Sequence, residues 1–341
     1  MPKGLLELKG TIDVAQFWPH GMSDGDTVTV VPDPDGFQFS PDPARGEHFR
    51  VTHIFEDALC QGSGTKHVIH NGKVTIRLED VDCAELHYLA PVKGSKNYRQ
   101  FTGETAATKL HDLISTVNTN PVACKVRTAV DHPNEVFDTY GRMVGNIFVY
   151  PGGREVNVNH WMIEQGWAFP TFYNSAMIEE IHQATRPAKE AQRARRGVWA
   201  HLSDELLKER FALEFRPNGV IDSAADLGPV VMPKMFRRLV MWHGKKLAHQ
   251  FSGSFVNFLL TQKDGWVRMK DFLNDPAIRP TAKTHDLSTL VNPHGIFTCG
   301  PGDLVFFEKP SVLHDAKGHN ITSWWKAGAP KKEDDKQIVA A

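Results

Sequence analysis

Five stretches of this chain alternate apolar and polar residues with a period of two, near residues 6–15, 27–31, 73–81, 122–130 and 143–150. That period places one face of each segment in a core and the other in solvent, and five such strands suffice for a small Greek-key barrel. Helical signals sit between and after them. Thr102-Gly103-Glu104 opens a segment whose Ala106, Ala107, Leu110, Leu113, Ile114 and Val117 share one face. Asn157 is placed to cap a second helix ending at Gly166, and Ser175 a third, with Pro187 marking a kink or restart before Gly197.

The run from Ile76 to Glu85 carries chemistry. An apolar strand delivers Arg77, Asp82 and Glu85 within nine residues. Arginine offers a planar, permanently charged fork for phosphate oxygens, aspartate a hard oxygen ligand for a divalent cation, and glutamate a base for water. Upstream, Asp24-Gly25-Asp26-Thr27 sets two carboxylates around a glycine turn before a strand. Downstream, Asp138-Thr139-Tyr140-Gly141-Arg142 places a second arginine at the entry of another.

In this order, with Val158-Asn159-His160-Trp161 through Trp167-Ala168 and Ala188-Lys189 through Trp199, residues of about 8–201 resemble the staphylococcal nuclease family. The resemblance implies an OB-type barrel with three helices and a calcium-dependent nuclease. It implies Asp26 and Asp82 as calcium ligands, the Cys83 carbonyl as a further ligand, and Asp24 as a carboxylate behind them. It implies Arg77 and Arg142 as the phosphate clamp and Glu85 as general base. Tyr140, before the Gly-Arg pair, and Thr27 join the substrate-binding set. Phe172 and Tyr173 fall where the family offers tyrosines to a nucleotide; base stacking and core packing are both open to them. Where the family commonly has a proline before the glutamate this chain has Ala84, so the Glu85 loop is expected to be more mobile.

Composition narrows the setting. All the implied metal ligands are oxygens, and Cys60, Cys83, Cys124 and Cys299 show no paired spacing, which favours calcium over zinc. Dispersed cysteines in a chain of 341 residues read as reduced packing residues, and Met1 to Leu8 is too short and charged for a signal peptide, so a cytoplasmic protein without membrane insertion is expected. Residues 1–203 carry 20 Lys and Arg against 24 Asp and Glu, net −4, and the remainder 19 against 16, net +3. Polyanion must therefore be bound through a local cluster rather than a global field.

Residues 32–72, with His48, His53, Cys60, His67 and His70, exceed any ordinary hairpin loop and suggest a lid or specificity hairpin whose softest part is Gly62-Ser63-Gly64. In a strand His67 and His70 point to opposite faces, against a zinc site with His53 and Cys60.

Beyond Leu202 the resemblance ends. A helical connector over 203–217, a second small α+β or mostly β domain over 218–328 and a polar tail over 329–341 complete the expected organisation. Phe236 to Trp242 and Leu247 to Phe251 are read as apolar runs around a His243-Gly244-Lys245 turn, forming an exposed hairpin, and Leu304 to Phe307 as a strand. Arg237, Arg238, Lys245 and Lys246, interleaved with Phe236 and Trp242, form a possible phosphate-tracking patch. Three functions stay open. The first is a nuclease of DNA or RNA, and the second a nucleic-acid-binding module with weak turnover. The third is an assembly component whose C-terminal domain recognises a protein partner and restrains the nuclease.

Overall fold

The computed structural model describes residues 4–61, 65–203, 205–206, 213–214, 230–276, 284–300, 302–307 and 311–322. Its centre is a closed barrel of five strands with an OB-type layout. Gly4–Ile12 pairs antiparallel with both Thr27–Ser40 and Val122–Val130. Val122–Val130 pairs with Met143–Val149, and Met143–Val149 runs parallel to Lys73–Leu78. Lys73–Leu78 returns to Thr27–Ser40 and closes the ring.

Strict alternation makes these strands. Along Gly4–Ile12 every second residue is buried, and Met143–Val149 does the same. Leu6, Leu8, Val28, Val30, Val74, Ile76, Val126 and Ile147 fill the barrel. The second strand runs to Ser40, well beyond the expected residue 31, so the 32–72 excursion begins as an extension of the barrel. It continues through Leu59–Gln61, which pairs with Thr65–His67 as a hairpin; the Gly62-Ser63-Gly64 tip lies outside the described residues.

Three helices pack on the barrel: Gly103–Ser115, Val158–Glu164 and Ile178–Arg193. Asn157 caps the second as expected, its side chain accepting from the His160 amide at 3.1 Å. The other two begin differently. Thr102 sits at φ +71° and makes no capping bond. The third starts at Ile178, where the Met177 amide donates to the Glu180 carboxylate at 3.0 Å, and it runs through Pro187 to Arg193.

The C-terminal region contains helices and strands. The expected hairpin around His243-Gly244-Lys245 is a helix, Pro233–Leu247. Phe236, Leu239 and Val240 recur at helical spacing and are buried, and Pro233 suits the first turn, where its missing N–H costs nothing. Phe255–Leu260 is also helical, while Leu304–Phe306 is a strand as expected. Within the connector, Leu213–Glu214 is a strand paired with Asn97–Arg99, not a helix. The remainder of that connector, apart from Ser203 and Glu205–Leu206, and the 329–341 tail lie outside the described residues.

This region is joined to the barrel half by backbone pairing and by core. Leu304–Phe306 pairs in parallel with Phe172–Tyr173, and Val312–His314 pairs with Leu59–Gln61 of the excursion. Val267, Phe272, Val305 and Leu313 belong to the buried cluster that fills the barrel. A second cluster unites Phe169, Ala191, Val198 and Trp199 with Phe236, Phe255 and Phe258. Among the described residues no helix is long and apolar enough to cross a membrane.

Candidate functional site

The barrel register brings the three acidic and basic segments together. Thr27 lies directly opposite Arg77 across one strand pair, and Arg77 lies opposite Val144 across the next, just past Arg142. Past the turn at Asp80 (φ +60°), the strand Val81–Cys83 pairs with Ala168–Pro170 and presents Asp82 and Cys83 to the same place. Gly25 suits this close approach: a Cβ there would stand 3.0 Å from both Cβ and Sγ of Cys83.

One polar network links the side chains. The Arg77 guanidinium pairs with Asp26 and donates to Asp82 Oδ1 at 2.7 Å. Asp26 Oδ2 also accepts from the Cys83 amide at 2.9 Å, and Asp26 Oδ1 from the Thr27 hydroxyl at 3.1 Å. Arg142 donates to Thr27 Oγ1 at 3.5 Å and to Asp138 Oδ2 at 2.8 Å. The Thr27 hydroxyl is thus engaged by protein on both sides. Asp138 Oδ1 accepts from the Tyr140 and Arg142 amides, at 2.9 and 3.0 Å, and fixes the turn that carries both. Gly141 in that turn has φ +79°, and the Cys60–Lys66 hairpin packs beside it, so the excursion abuts the arginine turn.

Glu85 completes the acidic set. Its amide donates to Gln100 Oε1 at 3.4 Å, and its carbonyl accepts from the Gln100 amide at 2.7 Å. Gln100 thus bonds the Glu85 backbone in both directions, beside Ala84. The Gln100 side chain also donates to the Val231 carbonyl of the C-terminal region.

A residue of the C-terminal region enters this site. Arg237, on the Pro233–Leu247 helix, bridges Asp82 through two bonds of 3.3 and 3.2 Å and also pairs with Glu85. The expected phosphate-tracking patch is dispersed by the same helix. Arg238 turns to Asp264 at 2.8 Å, Phe236 is buried, and Trp242 donates to the Gly253 carbonyl at 3.1 Å.

The charges are unequal in their comfort. Burial, with repulsion from Asp26, raises Asp24 to about 6 against the pull of Arg77 and Arg142. Burial raises Glu85 to about 7; Arg237 opposes the rise, and Asp24, Asp82 and Asp26 add to it. Against its own burial Asp82 is held at about 2, by Arg237 first and Arg77 second. The Cys83 thiol is pushed far up by burial and stays protonated.

The donor set tests the calcium expectation. Four carboxylates and a backbone carbonyl are hard oxygen donors, the kind calcium takes, and burial displaces two of the carboxylates upward. In kind the residues fit. Among the described residues, however, no three His, Cys, Asp or Glu are grouped to hold an ion, and Arg77 and Arg237 bind the carboxylates.

The aromatic candidates separate. Tyr140 is exposed, with the Arg142 guanidinium 5.4 Å from its ring centre. Tyr173 is half-buried beside Lys234. Phe172 is fully buried in the core and has no face for a base, which corrects its inclusion in the substrate-binding set. Tyr88 was not expected. It follows Glu85 by three residues, and its electrostatic neighbours are Arg237, Arg238, Glu85 and Tyr140, but no local pattern marks it.

A closed OB-type barrel with an arginine–carboxylate site at one face defines the class. Residues 75–201 match the family model described as staphylococcal nuclease homologue. A search of curated proteins returns no match.

Proposed function

We propose that this protein hydrolyses phosphodiester bonds of nucleic acid. The observation that carries the reading is the continuous network from Arg142 through Thr27, Asp26, Arg77, Asp82 and Arg237 to Glu85, built from four remote stretches of chain. A phosphodiester gains negative charge on its equatorial oxygens as water adds. Arg77 and Arg142 are fixed before reaction and would stabilise that charge without reorganising. Glu85 takes one proton from the attacking water as the new P–O bond forms. The ester P–O bond then breaks with its electron pair on the leaving oxygen, which takes a proton from solvent. With a value of about 7, Glu85 is basic enough to accept a proton and acidic enough to give it up.

Calcium belongs to this reading. Asp26, Asp82 and the Cys83 carbonyl would hold the ion, with Asp24 behind them, and the ion would supply further positive charge near the phosphate. Nucleic acid is the partner, and exposed Tyr140 with half-buried Tyr173 offers ring faces to its bases.

The test is digestion of DNA and of RNA by the full chain, with calcium and with chelator. Cleavage that needs calcium and disappears in Arg77→Gln and Arg142→Gln supports the assignment. Binding without cleavage at any calcium concentration would replace it with a nucleic-acid-binding module.

A further inference from the structure

Arg237 is the group in the site that the barrel half does not supply. The helix that carries it is anchored at several points. Phe236, Leu239 and Val240 are buried, Arg238 is tied to Asp264, and Lys234 lies 4.3 Å from the ring centre of Phe306. Gln100 binds Val231 just ahead of the helix. From this helix the Arg237 side chain reaches the carboxylates, and it is 25% exposed, so part of the guanidinium arm already faces solvent.

Counting lone pairs shows what it does there. A carboxylate has about four acceptor positions, two on each oxygen. On Asp82, Oδ1 accepts from both Arg77 and Arg237, and Oδ2 accepts from Arg237. On Asp26, Oδ2 accepts from the Cys83 amide and pairs with Arg77, and Oδ1 accepts from Thr27. About one position then remains on each aspartate, and Glu85 is paired with Arg237 as well. Calcium takes six to eight oxygens at about 2.3–2.6 Å. A guanidinium and a divalent cation cannot share the same face of Asp82, since each needs those oxygens and the two repel.

We propose that Arg237 is a resident counter-cation which a divalent ion must displace from Asp82 and Glu85, so that metal loading and release of the base are one event. The inference rests on the calcium reading of the site. In the arginine-bound state Asp82 is neutralised from two sides and the Glu85 carboxylate is engaged. When the ion takes Asp82, Arg237 loses both partners together and Glu85 becomes free to accept a proton from water. The C-terminal region thereby sets how much calcium the nuclease site needs.

Calorimetric titration of the metal-stripped full chain with calcium alone tests this. Arg237→Gln should bind calcium at least tenfold more tightly than the unmodified chain, and Arg237→Lys, which keeps the charge but loses the fork, should lie between them. Adding Asp82→Asn to Arg237→Gln should abolish the binding. Equal affinity in all three forms would overturn the displacement while leaving the calcium reading intact. Absence of binding in every form would remove both, and binding that survives Asp82→Asn would place the ion elsewhere and overturn the proposal. Should Arg237→Gln not fold, the comparison of Arg237→Lys with the unmodified chain decides alone: tighter binding supports displacement and unchanged binding refutes it.

Discussion

Glu85→Gln should make the protein more stable and nearly inactive at once. The carboxyl rises from its ordinary 4.5 to about 7 because burial and three neighbouring aspartates outweigh Arg237. A raised carboxyl favours the fold below its unfolded value, and that benefit is lost as pH climbs through the folded value. At pH 8 Glu85 is ionised in both states, and its 2.5-unit displacement corresponds to about 3 kcal/mol against folding. Glutamine keeps an oxygen for Arg237 and carries no charge, so it should recover roughly 1–3 kcal/mol at pH 8. Near pH 4.5 native Glu85 is protonated and the substitution should be close to neutral. Turnover should fall by about 10²- to 10⁴-fold, the usual worth of a positioned base. Urea unfolding at pH 4.5, 6 and 8, alongside a digestion assay, measures both quantities. A variant that loses stability at pH 8, or that gains the same amount at every pH, would refute the electrostatic account. One that digests within tenfold of the unmodified chain would remove Glu85 as the base.

Further expectations rest on packing. Phe172→Ala should cost about 3–5 kcal/mol, because the ring is fully buried, and should leave KM for nucleic acid unchanged in the folded fraction; a selective rise in KM would return Phe172 to the substrate site. Gly25→Ala forces a methyl against Cys83 at 3.0 Å and Ala106 at 3.1 Å, and should cost about 1–3 kcal/mol by thermal melting while weakening calcium binding through Asp24 and Asp26; an unchanged midpoint would show that the turn can yield. A chain ending at Leu202 should not give a soluble, cooperatively melting monomer, since it strips Val305 from Phe172 and exposes Phe169 and Trp199; a well-behaved fragment would show that the barrel half folds alone.

The barrel was legible because alternation is a local property. Val122–Val130 falls at its expected bounds, and the register that sets Thr27 beside Arg77 follows from which face is apolar. The same pattern misled at Phe236 to Trp242, where bulky apolar residues ahead of Gly244 read as a strand and turn. Gly244 lies within the helix, beside Val92, so the local turn signal is not followed there. The i, i+3, i+4 spacing of Phe236, Leu239 and Val240 was the available clue. Arg237 left no such trace. Its partners lie 155 and 152 residues earlier in the chain, and an arginine bound for a carboxylate pair has the same neighbours in sequence as one bound for solvent.

Charge balance then explains why two halves of opposite sign belong in one packed unit. The first 203 residues carry a net −4 and concentrate four carboxylates at the mouth of the barrel, where an approaching polyanion would be repelled. The remainder carries +3 and delivers one arginine to those carboxylates. Removing that arginine alone should leave the site more negative, more eager for calcium and, without calcium, poorer at binding nucleic acid. These opposite effects on two ligands separate a counter-cation from a phosphate-binding residue. If Arg237 served phosphate alone, its loss would weaken nucleic-acid binding equally with and without calcium and would leave calcium affinity unchanged.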